Sequence, residues 1–408
     1  MRILFLTQWF QPEPLFKGLP FARALADRGH DVEVFTGFPN YPGGNVYRGY
    51  RVRLFQRETM DGIRVNRVAL YPSHNKSAFR RILNYLSFAL SSFLLASWII
   101  RRPDVIYVYN LVTLGPAAFL LRLIFRSKVI VDVTDLWPES VMNSGMVRNR
   151  QMIDFLNKFC DQVYQSADRL IVVSPGVKKV LIARGVTPEN IDVIYNWCDE
   201  NSMKIYDDES DSPALYGLTD KFNIIFAGTM GTVQALDSVL ACAAICQNGL
   251  PDIQFIFVGG GVDRDRLKKK AEGMGLMNVT FLPPQPIEAM GPIFAMADAL
   301  LVHLKDDPLF RITIPSKTQA YLYTGKPIIM AMRGDAADLV REAGAGVLCA
   351  PEDPQEMMNA IKTLYQMPEI ERRKMGEAGH RYYMGHLSFN QGVNQFEQIM
   401  MSLSREAS

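Results

Sequence analysis

"RRILNYLSFALSSFLLASWIIRR", residues 80–102, decides whether this chain lives in a bilayer or folds as an α/β protein in water. No charged residue interrupts Ile82 to Ile100, and arginine pairs bound both ends. Length alone permits a crossing, since about 20 mostly apolar residues span the hydrocarbon of a bilayer. The internal pattern argues otherwise. Asn84, Ser87 and Ser91 recur at spacings of three and four, which aligns them as one polar stripe on a helix that is apolar elsewhere. A lone lipid-facing span gains nothing from that stripe, and "PDVIYVYN" follows at once as a buried strand. The segment reads as a core or membrane-surface helix inside an alternating pattern of strands and helices.

That alternation extends to both sides. "RILFLT", "DVEVFT", "DVIYVY", "KVIVDV" and "RLIVVS" are short β-branched runs, with helical patterns such as "PFARALADRG" between them, opened by Pro20 and stopped at Gly29. Residues 196–221 break the pattern with acidic and turn-forming residues and predict a linker. Strands then resume in "FNIIFAG", "IQFIFVGGG", "NVTFLPP", "DALLVHL" and "GKPIIMA". The fold class is α/β, with two Rossmann-like doubly wound domains over 1–200 and 201–387 and a cleft between them as the expected site. The amphipathic stretch in 388–408 is available to pack back on the first domain.

Composition fits this frame. A chain of 408 residues, 48% hydrophobic and 21% charged, suffices for two cores. Its five cysteines show no CxxC spacing, so reduced cytosolic thiols are expected, with Cys242 and Cys246 as packing residues. "MRILFLTQWF" is too short an apolar run for a signal peptide, which predicts a cytoplasmic protein. Charge is split: residues 1–128 hold 18 Lys or Arg against 7 Asp or Glu, a balance of +11, and the remainder holds 26 against 35, a balance of −9. The basic residues form no recognition helix or aromatic ribonucleoprotein motif, which argues against nucleic acid. Beside an apolar helix they suit an anionic bilayer surface, or a solvated basic face.

Chemistry concentrates in three places. "FNIIFAGTMG" and "IFVGGG" place Gly228, Gly231, Gly259, Gly260 and Gly261 where strands yield to helices, turns that present N–H groups to a phosphate. Neither run is GxGxxG, which disfavours a dinucleotide oxidoreductase. "FRITIPSKTQAYLYTG" sets Ser316 and Lys317 at a helix start, with Pro315 before them and Gly325 at the end. A lysine there opposes the helix dipole unless an anion binds, so the conflict itself points to an anion, with a solvent-facing lysine as the competing reading. "VDVTDLWPES" puts Asp132, Asp135 and Glu139 around a strand end, able to orient or deprotonate a hydroxyl, or to cap a helix. His30, His74 and His303 are isolated and "DRD" at 263–265 reads as surface charge, so no metal ligands are assigned.

Together, "LTQWFQPEP", "RALADRGHDVEVFTGFPNYPGG", "VYRGYRV", "DLWPES", "SPGVKKVLIARGV" and "VIYNWCD" resemble the GT-B glycosyltransferases of family 4. The likeness is to the bacterial branch adding fucosamine-type or fucose residues in O-antigen, capsule and colanic acid synthesis. It implies two facing Rossmann-like domains, retention of anomeric configuration, no metal cofactor, a nucleotide sugar held mainly by the C-terminal domain and an acceptor bound mainly by the N-terminal one. By resemblance, Gly18 lies in a loop approaching the donor phosphates. Gly228, Thr229, Gly231, Gly259 to Gly261 and the turn Pro283 to Gln285, with Pro284 at its centre, surround the nucleotide. Ser316 and Lys317 face the diphosphate, Arg311 adds positive charge, and Asp135, with Asp132 near it, stands at the reacting sugar.

Several family positions differ. Thr229 and Gln234 replace a common Arg and Lys, Ile312 and Ala320 a common pair of glutamates, and Thr134 a common histidine. The resemblance further implies a UDP-sugar in preference to a GDP-sugar, with UDP-N-acetyl-L-fucosamine as the expected donor. It implies a polyprenyl-diphosphate-linked acceptor and peripheral attachment to the inner face of the cytoplasmic membrane. A sugar-nucleotide epimerase of the same form and a non-catalytic partner subunit are the alternatives.

Overall fold

The computed structural model describes residues 1–73, 78–143, 147, 149–203 and 221–406; His74 and most of the expected linker fall outside them. The chain divides into two compact units, Met1–Ile194 with Val393–Ser408, and Tyr195–Gly392.

The first unit holds β1 (Arg2–Leu6), β2 (Asp31–Gly37), β3 (Phe55–Met60), β4 (Ile63–Val68), β5 (Val105–Tyr109), β6 (Lys128–Val133), β7 (Arg169–Val172) and β8 (Ile191–Val193). They form one sheet in the order β3-β4-β2-β1-β5-β6-β7-β8. Only β3 runs antiparallel, paired with β4 across an Asp61–Gly62 turn in which both residues have positive φ. That hairpin was not expected, because β3 is an edge strand with no buried residue and so carries no hydrophobic signature. Helices α1 (Leu19–Asp27), α2 (Ala78–Ile99), α3 (Gly115–Phe125), α4 (Glu139–Asn143), α5 (Arg150–Ser166) and α6 (Pro175–Ala183) complete the layers. Because β1 is flanked by β2 and β5, the chain's winding reverses there, the place where open α/β sheets put their ligand site.

The second unit orders β9 (Phe222–Ala227), β10 (Ile253–Val258), β11 (Val279–Leu282), β12 (Ala299–His303), β13 (Ile328–Ala331) and β14 (Gly346–Cys349) as β11-β10-β9-β12-β13-β14, all parallel. Its reversal lies between β9 and β12. The helices are α7 (Leu236–Gly249), α8 (Arg264–Gly273), α9 (Met290–Ala295), α10 (Pro308–Arg311), α11 (Ser316–Thr324), α12 (Asp335–Glu342), α13 (Pro354–Gln366) and α14 (Glu369–His386). Cys242 and Cys246 are buried in its core among Leu240, Ile253 and Phe255, as packing residues. The last helix, α15 (Phe389–Glu406), belongs to the first unit from Val393 onward. There Phe396 packs edge-on against Phe21 and Tyr107, and Glu397 pairs with Arg28 and His30.

Helix α2 is oriented by its polar residues. Asn84 is buried; its Oδ1 accepts a hydrogen bond from Gln8 Nε2 at 2.5 Å, and its Nδ2 donates to Tyr71 O at 2.7 Å and Asn40 Oδ1 at 3.2 Å. Ser87 Oγ accepts from Tyr71 N at 2.8 Å. Asn84, Phe88, Ser92 and Ala96, one turn apart, form the buried row. Asn84 and Ser87 of the polar stripe therefore face protein and bond the loops that follow β1, β2 and β4, whereas Ser91 is partly exposed beside the buried Ser92. The apolar residues Leu83, Leu86, Leu90, Phe93, Leu94 and Trp98 face outward, with Trp98 87% exposed. By length and composition alone α2 could cross a membrane. Its hydrogen-bonded face distinguishes it from a helix surrounded by lipid.

Candidate active site

In the second unit the site is framed by backbone. Gly228, Gly259 and Gly261 all adopt positive φ, between 134° and 139°. The two loops are stitched by Gly228 N to Val258 O at 2.9 Å, Met230 N to Gly260 O at 2.7 Å and Asp263 N to Met230 O at 3.0 Å. A Cβ on Gly259 would collide with Gly228 O, and one on Gly261 with Met230 O. These glycines are thus required by close approach as well as by φ. Gly231 N donates to Gln234 Oε1 at 3.0 Å, closing the turn. Gln234 is thereby engaged with its own loop. His303, at the end of β12, receives Glu352 N–H at Nε2, meets Ser238 Oγ at 3.1 Å and bonds Gln234 O through Nδ1 at 2.7 Å. This ties three loops at the sheet's reversal, and burial lowers the imidazole's pKa.

Lys317 occupies the first turn of α11. Tyr321, one turn on, fixes that helix to β9 by accepting Ala227 N–H at 2.8 Å. The Lys317 ammonium consequently lies beside Gly228 and 3.5 Å from the centre of the Phe226 ring. Nζ is enclosed and has no hydrogen-bond partner among the described residues. Burial pushes its pKa down to about 7. A charge-assisted bond to an anion contributes about 1.5–3 kcal/mol, against a dipole penalty of about 0.3–1 kcal/mol. The solvent-facing alternative does not hold, because the ammonium is buried.

The other expected donor residues are dispersed around this point. Ser316 and Thr229 are exposed at the same strand and helix ends, and Pro284 lies against Gly260. Gln285 Nε2 donates within its own turn, to Pro283 O at 3.5 Å. Arg311, expected to add positive charge, is exposed, and its guanidinium is paired with Asp306 at 2.8 Å, an acid that Arg333 also approaches at 3.4 Å. Asp306 is thus shared by two arginines and compensates the charge of Arg311 only in part. Ile312 and Ala320 are partly buried and place no carboxylate here.

In the first unit, Asp132 departs from the expected catalytic role. It is buried at the end of β6, with Lys17 Nζ at 2.7 Å and Tyr107 Oη at 2.5 Å, both on Oδ2. A carboxylate enclosed in this way cannot touch a substrate; it holds Lys17, and with it the loop ending at Gly18. Gly18 itself caps α1, where Leu19 N donates to Gln11 Oε1 at 2.6 Å. Glu139 is likewise engaged, with Arg184 at 2.8 Å.

Asp135 differs from both. It is solvent-accessible yet hemmed in by protein, and desolvation raises its pKa against a hydrogen bond from Asn110. Asn110 stands at the end of β5 with φ 67°, a left-handed conformation that Asn tolerates better than most residues, and its Oδ1 accepts from Thr134 Oγ1. Nothing in "DVIYVYN" marks Asn110 beyond its place at a strand end. Lys17 and the buried Glu13 also escaped the sequence reading. Glu13 accepts N–H bonds from Phe10, Asn40 and Tyr41 at 2.7–3.0 Å, and burial pushes its pKa up to about 7. Among the described residues no group of three or more His, Cys, Asp or Glu is arranged to hold a metal ion.

Comparison with known proteins agrees with this architecture. Residues 19–197 match the glycosyl transferase 4-like domain, and residues 209–382 match the glycosyl transferases group 1 domain. A chain of Escherichia coli (strain K12) named as a colanic acid biosynthesis glycosyl transferase, WcaI, is 27% identical over 362 residues, covering 85% of this chain and 86% of that one. The Pseudomonas aeruginosa glycosyltransferase WbjE is 24% identical over 65% of this chain and 67% of its own. Among solved structures, Anabaena Alr3699/HepE in complex with UDP superposes with a TM-score of 0.69 at 18% identity, covering 98% of this chain and 100% of that one. With these two domains in succession over most of its length, the chain is a glycosyltransferase of family 4/group 1 type with the GT-B fold.

Proposed function

We propose that this enzyme transfers a sugar from a UDP-sugar, with retention of configuration, onto a polyprenyl-diphosphate-linked saccharide in the synthesis of a bacterial surface polysaccharide. The observation that carries the reading is the enclosed, unpartnered ammonium of Lys317 at a helix start beside the Gly228 turn. The charge of a nucleoside diphosphate fits that position. UDP is favoured over GDP because a protein of the same fold binds it. A surface polysaccharide is favoured because a relative is named for colanic acid. N-acetyl-L-fucosamine is the sugar the sequence resemblance favours.

In this reading the anomeric carbon–oxygen bond to the diphosphate breaks as Lys317 and the N–H groups of α11 stabilise the leaving charge. The acceptor hydroxyl attacks from the same face, its proton passes to the departing phosphate oxygen, and Asp135 orients it. Lys317 takes the charge-stabilising role that a divalent cation fills elsewhere, so the reaction proceeds without a metal and survives chelator. The protein works on the cytoplasmic face of the inner membrane. There the outward apolar face of α2 lies on lipid, and the exposed arginines flanking it, at 80, 101 and 102, meet anionic headgroups.

The test is incubation of purified protein with a panel of UDP- and GDP-sugars, with and without a polyprenyl-diphosphate N-acetylhexosamine, followed by mass spectrometry of the lipid. A gain of one sugar from one donor is expected. Conversion of donor without acceptor would instead make it an epimerase, and no gain with no nucleotide binding would make it a non-catalytic partner.

A further inference from the structure

Beside the reversal of strand order at β1 and β5, four aromatic residues from different elements converge. Trp9 follows β1, Tyr41 follows β2, Trp137 follows β6, and Tyr85 comes from α2. Ring centres of Trp9 and Tyr41 are 5.2 Å apart, those of Trp9 and Tyr85 6.0 Å, and those of Tyr85 and Trp137 6.0 Å. Trp9 is buried beneath, while Tyr41, Tyr85 and Trp137 are partly open. The indole N–H of Trp9 is enclosed without a partner among the described residues, an uncommon cost for a folded core.

Two charges attend this cluster. The Tyr85 hydroxyl lies in the fields of Arg81 and Asp135. Arg81, one turn before Tyr85 on α2, has an enclosed Nε with no partner and no ion pair among the described residues. The remaining arginines of α2 and its flanks differ: Arg80 and Arg102 are exposed, and Arg101 reaches Asp31. The Nε–H of Arg81, enclosed without a partner among the described residues beside an aromatic wall and near a carboxylate, is a donor that an anion's oxygen would satisfy.

We propose that Tyr41, Tyr85 and Trp137 bind the acceptor sugar and that Arg81 binds the phosphate joined to it, so that the site recognises a glycosyl phosphate. The reading rests on the transferase function proposed above and narrows its acceptor. Apolar ring faces of a pyranose suit aromatic walls, Asp135 accepts from a hydroxyl of the same ring, and Arg81 offers a planar fork that matches phosphate oxygens. Tyr85 and Arg81 stand on the helix whose other face is apolar and exposed, so a lipid attached to that phosphate continues along α2 and not into solvent. The inferred acceptor therefore carries its reactive sugar directly on the diphosphate, with no intervening saccharide.

Binding is measured on the full chain, independently of turnover, by isothermal titration with farnesyl-diphosphate N-acetylglucosamine and with octyl N-acetylglucosaminide, which lacks phosphate. The wild type is expected to bind the first at least about tenfold more tightly, equivalent to ~1.4 kcal/mol. Arg81→Ala removes that preference, Arg81→Lys restores part of it, and UDP affinity and melting temperature stay unchanged in both. Vesicles of phosphatidylglycerol form a third arm. Loss of vesicle binding in Arg81→Ala with the preference intact would assign Arg81 to lipid headgroups and overturn the proposal. Equal binding of the two glycosides by the wild type would overturn it as well. Because UDP binding is read separately, failure here leaves the donor half of the proposed function standing, whereas loss of UDP binding in the wild type removes that half.

Discussion

Lys17 Nζ and Asp132 Oδ2 stand 2.7 Å apart with both side chains fully enclosed, joining the loop after β1 to the end of β6. Tyr107 bonds the same oxygen, and the Phe396 ring lies 4.8 Å below the ammonium. Lys17→Met strands the carboxylate in the core and is expected to destabilise the first unit by about 3–5 kcal/mol. Adding Asp132→Leu should recover much of that loss. Urea unfolding of the single and double variants measures the coupling; additive losses would contradict it.

Lys317 sets a pH dependence. With its pKa near 7 when nothing is bound, it is increasingly neutral above that value, whereas an anion at Nζ favours the charged form. Nucleotide affinity should fall as pH rises from about 7, with a proton taken up on binding. Calorimetry in buffers of different ionisation enthalpy detects that proton. Lys317→Met should weaken binding by about 10- to 100-fold and flatten the pH profile.

At Gly259 no side chain fits. Gly259→Ala meets both a positive φ and the Gly228 carbonyl, so a loss of about 1–3 kcal/mol in stability and a parallel loss of nucleotide affinity are expected. Gly249, at the end of α7, has open space around its Cβ position and ordinary φ. Gly249→Ala is the control and should be neutral in both assays.

The outward face of α2 predicts where the protein binds membranes. Leu90→Glu with Leu94→Glu places two carboxylates among exposed apolar residues without touching the Asn84 row. Co-sedimentation with anionic vesicles should fall at least about tenfold while melting temperature holds. Retention of the double variant on vesicles through a high-salt wash would exclude this face as the contact.

Parallel strands and their glycine turns were legible because burial on both faces makes such strands continuous apolar runs. Lys317 was legible through a local contradiction, a cation where the helix dipole disfavours one. The antiparallel β3 was not, since an edge strand with half-exposed residues has no apolar period. Asp132 misled for a related reason: a carboxylate at a strand end looks the same in sequence whether it faces solvent or a buried lysine 115 residues away. Asn110, Tyr85 and Arg81 act through neighbours brought together only by the fold. The polar stripe of α2 was visible, but its direction depended on Gln8, Asn40 and Tyr71, which no helical period reveals.

The seam between the two glycine loops has a bearing on how such enzymes diversify. Its bonds run from main chain to main chain, through Met230, Gly260 and Asp263, and none depends on the identity of an intervening side chain. Thr229 and Val262 project from that seam, both exposed. A lineage can therefore exchange either side chain without rebuilding that main-chain frame.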